Sequence, residues 1–236
     1  YLVMELLDGE TLAQIVATRG ALATSQACEL ALQLLAALAA AHRKGIVHCD
    51  LKPANVIVTH PRPDRPLLQV LDFGVARTLS DPAQPSASVV LGTPMFMAPE
   101  QVCGQPIDER TDVYSACAIL YVLVTGQHPF AGPTSREVLE QVARGALRPV
   151  REANPGVPAE LASIIESGMS RKRKERFHSA DALAEKLRVS VDPDAVRVPA
   201  STTRERAQRA VPLLHPLQRL TQAPSEAPTT SFVRVD

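Results

Sequence analysis

A chain of 236 residues with 45% hydrophobic content can bury one ordinary core with sequence left over, which excludes a wholly disordered protein. Its 25 basic residues balance 25 acidic ones, so no net field recommends it as a general nucleic-acid or membrane-surface binder. Cys28, Cys49, Cys103 and Cys117 form no CxxC pair, which argues against a zinc site or a disulfide framework and fits a reducing, cytoplasmic setting.

In chain order, residues 1 to 6 are apolar enough for a short strand, and the chain reads as beginning in mid-domain. A turn at Asp8-Gly9 leads into helical spacing. From Thr24, an N-cap residue type, apolar positions recur at Leu30, Leu34, Leu35 and Leu38. Arg43 and Lys44 follow, then Gly45 as a stop, so this is the strongest predicted helix, with His42 assigned to its surface. The most hydrophobic segments, Ala31 to Ala41 (interrupted by Gln33) and Val113 to Val124, fall short of the roughly 20 residues that span a bilayer. No membrane segment is expected in this chain.

"NVIVTH" and "LLQVLDF" are β-rich runs separated by "PRPDRP", whose prolines and Asp64 predict the turn of a hairpin. After Asp72 the segment "FGVARTLSDPAQPSASVVLGTPMFMAPE" has weak periodicity and a length that compact domains keep mainly for function. Helices are predicted over 112–124, 134–144, 159–169 and 179–189, giving a mainly helical body. From 190 to 236, Pro, Ser, Thr and isolated Arg describe a linker or disordered tail.

The stretch "IVHCDLKPANVIV" lies on the loop between the long helix and the hairpin. Asp50 and Asn55 are five apart on that loop and Asp72 ends the hairpin, so three oxygen-bearing side chains could converge into the kind of shell that hard cations such as Mg²⁺ favour. Taken singly, each could equally cap a turn. The order of three motifs is more specific: "HCDLKPAN", then "DFG" at 72–74, then "APE" at 98–100.

On these motifs, residues 1 to 189 resemble the protein kinase family, closest to the Ser/Thr branch of bacterial signalling kinases. The resemblance implies an α+β fold: a mainly helical kinase C-terminal lobe, with a short hinge strand and a β-hairpin carrying the catalytic and metal loops. It implies transfer of the ATP γ-phosphate to Ser/Thr hydroxyls of protein substrates, with Mg²⁺ as cofactor and no nucleic-acid partner. Asp50 matches the aspartate that orients the substrate hydroxyl and accepts its proton, and Lys52 the cation that neutralises the transferring phosphoryl group. Asn55 and Asp72 match the two Mg²⁺ ligands beside the nucleotide phosphates. Residues 1 to 12 resemble the last strand of the N-terminal lobe running into the hinge, where backbone groups near Glu5 and Leu7 would hydrogen-bond adenine and Met4 matches the residue walling the back of that pocket. His48 matches a structural histidine packed near Phe73, Asp112 the aspartate that holds the catalytic loop from below, and Glu100 with Arg176 an ion pair bracing the end of the activation segment. The rest of the basic run from Arg171 is expected to be a solvated face.

Two departures qualify the resemblance. Cys49 stands where most such kinases carry the arginine that grips an activation-loop phosphate, so phosphorylation at that loop is not expected to be the main switch. Thr78, Ser80, Ser86 and Ser88 remain candidate sites, while Thr93 matches a threonine that contacts the catalytic loop. No glycine-rich phosphate loop or V-A-I-K lysine is found, as if the N-terminal lobe were missing, which implies weak nucleotide affinity for this polypeptide alone. A pseudokinase-like remnant that serves as a binding or scaffolding module is therefore the alternative to the enzyme.

Overall fold

The apolar spacing from Leu30 onward forms helix α2 (Thr24–His42) in a computed structural model that describes residues 7–62, 65–72, 77–78 and 94–190. It packs against α4 (Glu109–Thr125) and α8 (Ala180–Ser190), and α7 (Ala159–Gly168) closes on α4 and α8. Every residue of α4 from Thr111 to Thr125 is buried. A helix that is apolar all round belongs in the middle of a core, and α4 is the axis of this one. Its start is fixed by Asp108, whose carboxylate accepts from the Arg110 N–H, and its end by Gly126 in the left-handed region at φ 67°.

By length and composition α2 could cross a membrane, but most of it is buried in this core. The shorter helices α1 (Leu12–Arg19), α3 (Pro99–Val102), α5 (Ser135–Arg144) and α6 (Val150–Ala153) lie around it. The predicted helices at 112–124, 134–144, 159–169 and 179–189 thus all form, with ends displaced by three residues at most.

An antiparallel sheet of three short strands, β1 (Gly9–Thr11), β3 (Val56–Arg62) and β4 (Arg65–Val70), sits against α1 and α2 in the order β1-β3-β4. Two expectations are corrected here. Gly9 is not in a turn: it pairs with Thr59, and a Cβ at this position would press into the Val58 carbonyl, so glycine is what allows the strands to meet. The proline-rich run is not all turn either. Thr59 pairs with Leu67 and Arg62 with Arg65, which leaves His60 and Pro61 facing Pro66 alone. Pro61 and Pro66 are absorbed by a β-bulge, where a missing N–H costs no ladder bond.

Gln33, the polar interruption in α2, is explained by the same sheet. Its Nε2 donates to the Pro66 carbonyl at 3.2 Å and its Oε1 accepts from the Leu68 N–H at 3.0 Å, along the outer side of β4. A second, two-stranded pairing of β2 (Ile46–Val47) with β5 (Arg77–Thr78) brings the chain beyond the hairpin back beside the loop that begins at His48. The strand expected over residues 1–6 and the tail expected after 190 lie outside the described residues.

Candidate active site

Residues 48–55 leave β2, pass through a 3-10 turn at Pro53–Asn55 and enter β3. The loop is held from below by one side chain. Asp112, fully buried in the first turn of α4, accepts the His48 N–H at Oδ2 (2.8 Å) and the Cys49 N–H at Oδ1 (3.0 Å). Its Oδ2 also meets His42 Nε2 at 2.8 Å. This corrects the expectation for His42, whose side chain is 4% exposed. Position 42 continues the stripe of Leu35 and Leu38 at helical spacing, so the ring points into the core and reaches Asp112 from α2.

The upper side of the loop gathers the predicted catalytic pair. Lys52 Nζ lies 2.7 Å from Asp50 Oδ2, with both side chains partly open to solvent. Asn55 is buried, and its Nδ2 donates to the Asp50 carbonyl at 3.0 Å and approaches Asp50 Oδ2 at 3.4 Å. With its nitrogen committed to Asp50, the amide turns its oxygen the other way as the available ligating end.

Asp72 is brought alongside through its neighbour. The Leu71 N–H donates to the Asn55 carbonyl (2.8 Å), and the Leu71 carbonyl accepts from His48 Nε2 (3.0 Å). Both ends of residue 71 are therefore fixed, and Asp72 follows at φ 56° with an exposed side chain. His48 can make this bond in one tautomer only. Its Nδ1 accepts the Asp50 N–H (3.3 Å), so the proton is on Nε2. Its burial and these two bonds make it a structural brace, as expected. Cys49 and Asp72 are the two non-glycine residues at positive φ among those described. Such backbone strain concentrates where surrounding contacts dictate an unusual direction.

A second cluster stands below the site. Arg176 forms two bonds of 2.8 Å to the two Glu100 oxygens, and also donates to the carbonyls of Ser170 and Arg110. Thr111 Oγ donates to Glu100 Oε1, and the guanidinium lies over the Tyr114 ring at 4.8 Å. Burial alone would push the Glu100 carboxyl up, but the Arg176 hydrogen bonds and charge override it and hold the group below its usual range. In the same basic run, Arg173 pairs with Asp108 and Lys172 with Glu175, at the surface as expected.

Sequence reasoning missed Gln101, which follows Glu100 on α3. Its Oε1 accepts from the Ala98 N–H (3.0 Å) and its Nε2 donates to the Cys49 carbonyl (2.6 Å). The local half of this was readable, since a Gln at the third position of a helix commonly reaches back to the start. Ser115 was also missed. Its Oγ donates to the Phe96 carbonyl and ties α4 to the 3-10 turn Pro94–Phe96. Leu7 is half-buried, while Met4, Glu5, Phe73 and Thr93 lie outside the described residues.

For a cation, the described donors are an amide oxygen and a carboxylate, on Asn55 and Asp72. Among the described residues no cluster of three His, Cys, Asp or Glu side chains offers an all-protein cage. Mg²⁺ does not need one: it keeps waters and takes one or two protein ligands beside substrate phosphates, and by donor chemistry an Asn amide oxygen and an Asp carboxylate are ligands of that kind.

The protein kinase domain family matches residues 1–187. The chain is 38% identical over 209 residues to serine/threonine-protein kinase Pkn1 of Myxococcus xanthus, covering 86% of this chain and 29% of that protein. It is 36% identical over 182 residues to a probable serine/threonine-protein kinase PknB of Bifidobacterium longum (76% and 26%), and 33% identical over 202 residues to PknB of Mycobacterium leprae (84% and 32%). The chain thus spans about a quarter to a third of the length of these relatives.

Proposed function

This chain belongs to the protein kinase family, in its bacterial-type Ser/Thr branch, and on that premise we propose that it carries the catalytic and metal loops of an enzyme that moves the ATP γ-phosphate onto Ser or Thr hydroxyls of proteins. The observation that carries the proposal is the Asp50 carboxylate with Lys52 Nζ at 2.7 Å and the Asn55 amide against the same residue, open enough to exchange partners.

Phosphoryl transfer asks a protein mainly for position and charge. In this reading Asp50 orients the incoming hydroxyl and takes its proton, and Lys52 swings from Asp50 toward the charge that develops on the transferring group. Asn55 and Asp72 would hold Mg²⁺, which when bound would neutralise the nucleotide phosphates. Asp112 and His48 fix the backbone from which Asp50 projects. The helical body then corresponds to the kinase C-terminal lobe. An ATP-dependent activity also suits the cytoplasmic location that the cysteine pattern suggests.

The test is Asp50→Asn in the protein as its gene encodes it, measured as transfer of labelled phosphate to a generic protein substrate. Loss of a positioned base costs about 10²- to 10⁴-fold, so transfer should fall at least about 100-fold while the thermal midpoint stays put. Parental activity in the variant would remove Asp50 from its role. A parent that binds partners but never transfers phosphate would favour a scaffold.

A further inference from the structure

We propose that Gln101 is a positioning residue that locks the peptide between Cys49 and Asp50 and so sets the direction of the Asp50 carboxylate; this rests on the phosphotransfer reading given above.

The Gln101 side-chain amide is engaged at both ends. Gln101 Oε1 is taken by the Ala98 N–H at 3.0 Å, a contact within three residues of its own helix, which fixes which way the side-chain amide faces. The nitrogen is thereby aimed outward, and it donates to the Cys49 carbonyl at 2.6 Å, across 52 residues of sequence. That carbonyl shares a peptide plane with the Asp50 N–H, which donates to His48 Nδ1 at 3.3 Å. One peptide is therefore gripped at both ends, by Gln101 from the α3 side and by His48 from within the loop. The preceding peptide is gripped too, through the Cys49 N–H on Asp112.

The need for the grip is visible in the backbone. Cys49 sits at φ 67°, a conformation that residues with a Cβ adopt only where neighbours impose it. Losing the Gln101 bond would loosen the hold on the Cys49 carbonyl and ease the plane toward a commoner conformation, and the Asp50 carboxylate, carried directly after it, would shift with it. Misplacement of a reacting group by about 1 Å can cost on the order of 10²-fold in rate. The device also connects two parts of the molecule. Gln101 belongs to the stretch 94–102 that Ser115 anchors to α4, so the order of that stretch is transmitted to the catalytic loop by a neutral hydrogen bond.

Gln101→Glu isolates the donor. It keeps the size and the oxygen that serves Ala98, but as a carboxylate it sets an acceptor against the Cys49 carbonyl; protonated, it can donate again. In the gene-encoded protein, kcat of Gln101→Glu and of Gln101→Ala should fall about 10- to 100-fold, with KM for ATP within about twofold and the thermal midpoint of at least one variant at the parental value. The ratio of Gln101→Glu kcat to parental kcat should rise as pH is lowered, because protonation restores the donor.

Parental kcat in Gln101→Glu overturns the proposal. So does a kcat loss that tracks the loss of folded protein in both variants, or one that stays the same at every pH. An inactive parent, or an active Asp50→Asn variant, would instead overturn the underlying reading; active parent, silent Asp50→Asn and unchanged Gln101→Glu would overturn the Gln101 proposal alone.

Discussion

Two carboxylate–cation pairs in this molecule have nearly the same contact distance and opposite surroundings. Glu100 and Arg176 meet through two 2.8 Å bonds with side chains 3% and 0% exposed, and Thr111 and the carbonyls of Ser170 and Arg110 complete their hydrogen bonding inside the protein. Asp50 and Lys52 meet once, at 2.7 Å, with side chains 30% and 22% exposed. The first pair cannot exchange partners without breaking the core. The second can release its contact to water or to a ligand at little cost, because exposed pairs are worth little. Geometry alone therefore does not mark a working site; the difference lies in what remains open around it.

The sharpest way to break this contrast is to remove one member of each pair. Arg176→Ala leaves a buried, uncompensated carboxylate, which costs about 3–5 kcal/mol, so the thermal midpoint should drop by roughly 10 °C or more in a calorimetric scan. Lys52→Met should leave that midpoint within about a degree or two, yet slow phosphate transfer by about 10²-fold, since it removes a charge needed as the reaction proceeds. If both variants lost stability equally, the distinction drawn between the pairs would be wrong.

Acid should also separate them. The Glu100 carboxyl is held below its usual range in the folded chain, burial pushing it up and Arg176 outweighing that. Its contribution is then complete above the ordinary glutamate value of about 4.3 and drains away as pH falls from there through the lower folded value. Urea midpoints below about pH 5 should decline less steeply in a Glu100→Gln, Arg176→Met double variant than in the parent.

The smallest effect concerns thiols. Burial pushes Cys28 up to about 11 and Cys117 up to about 12, whereas Cys103 is exposed. A chromogenic disulfide reagent at pH 8 should therefore label Cys103 at once, and Cys28 and Cys117 only after urea unfolds the chain.

What could be read from the sequence was whatever depends on near neighbours. The motif loop 46–58, the hairpin behind it and the four later helices follow from periodicity and punctuation, and the structure has all of them. The predicted roles of Asp112 and of Glu100 with Arg176 as braces came from family resemblance, and their contacts fit that reading. Residues whose partners are distant were misjudged or overlooked. His42 looked like a helix-terminal surface residue because Asp112 lies 70 positions away. Gly9 looked like a turn because Val58 and Thr59 are brought to it only by the sheet. Gln33 looked like a flaw in an apolar helix, and Gln101 like an unremarkable residue after "APE", for the same reason.

Gln33 has a consequence for the behaviour of the molecule in company. The last strand of an open sheet is a template on which a foreign chain can add, and a long bare one invites aggregation. Among the described residues β4 has no further strand on its outer side, and there a single amide from α2 stands in, giving and receiving one bond each at Pro66 and Leu68. A leucine in its place would read as a better helix residue and a better core residue, and would leave that template uncovered at higher protein concentrations.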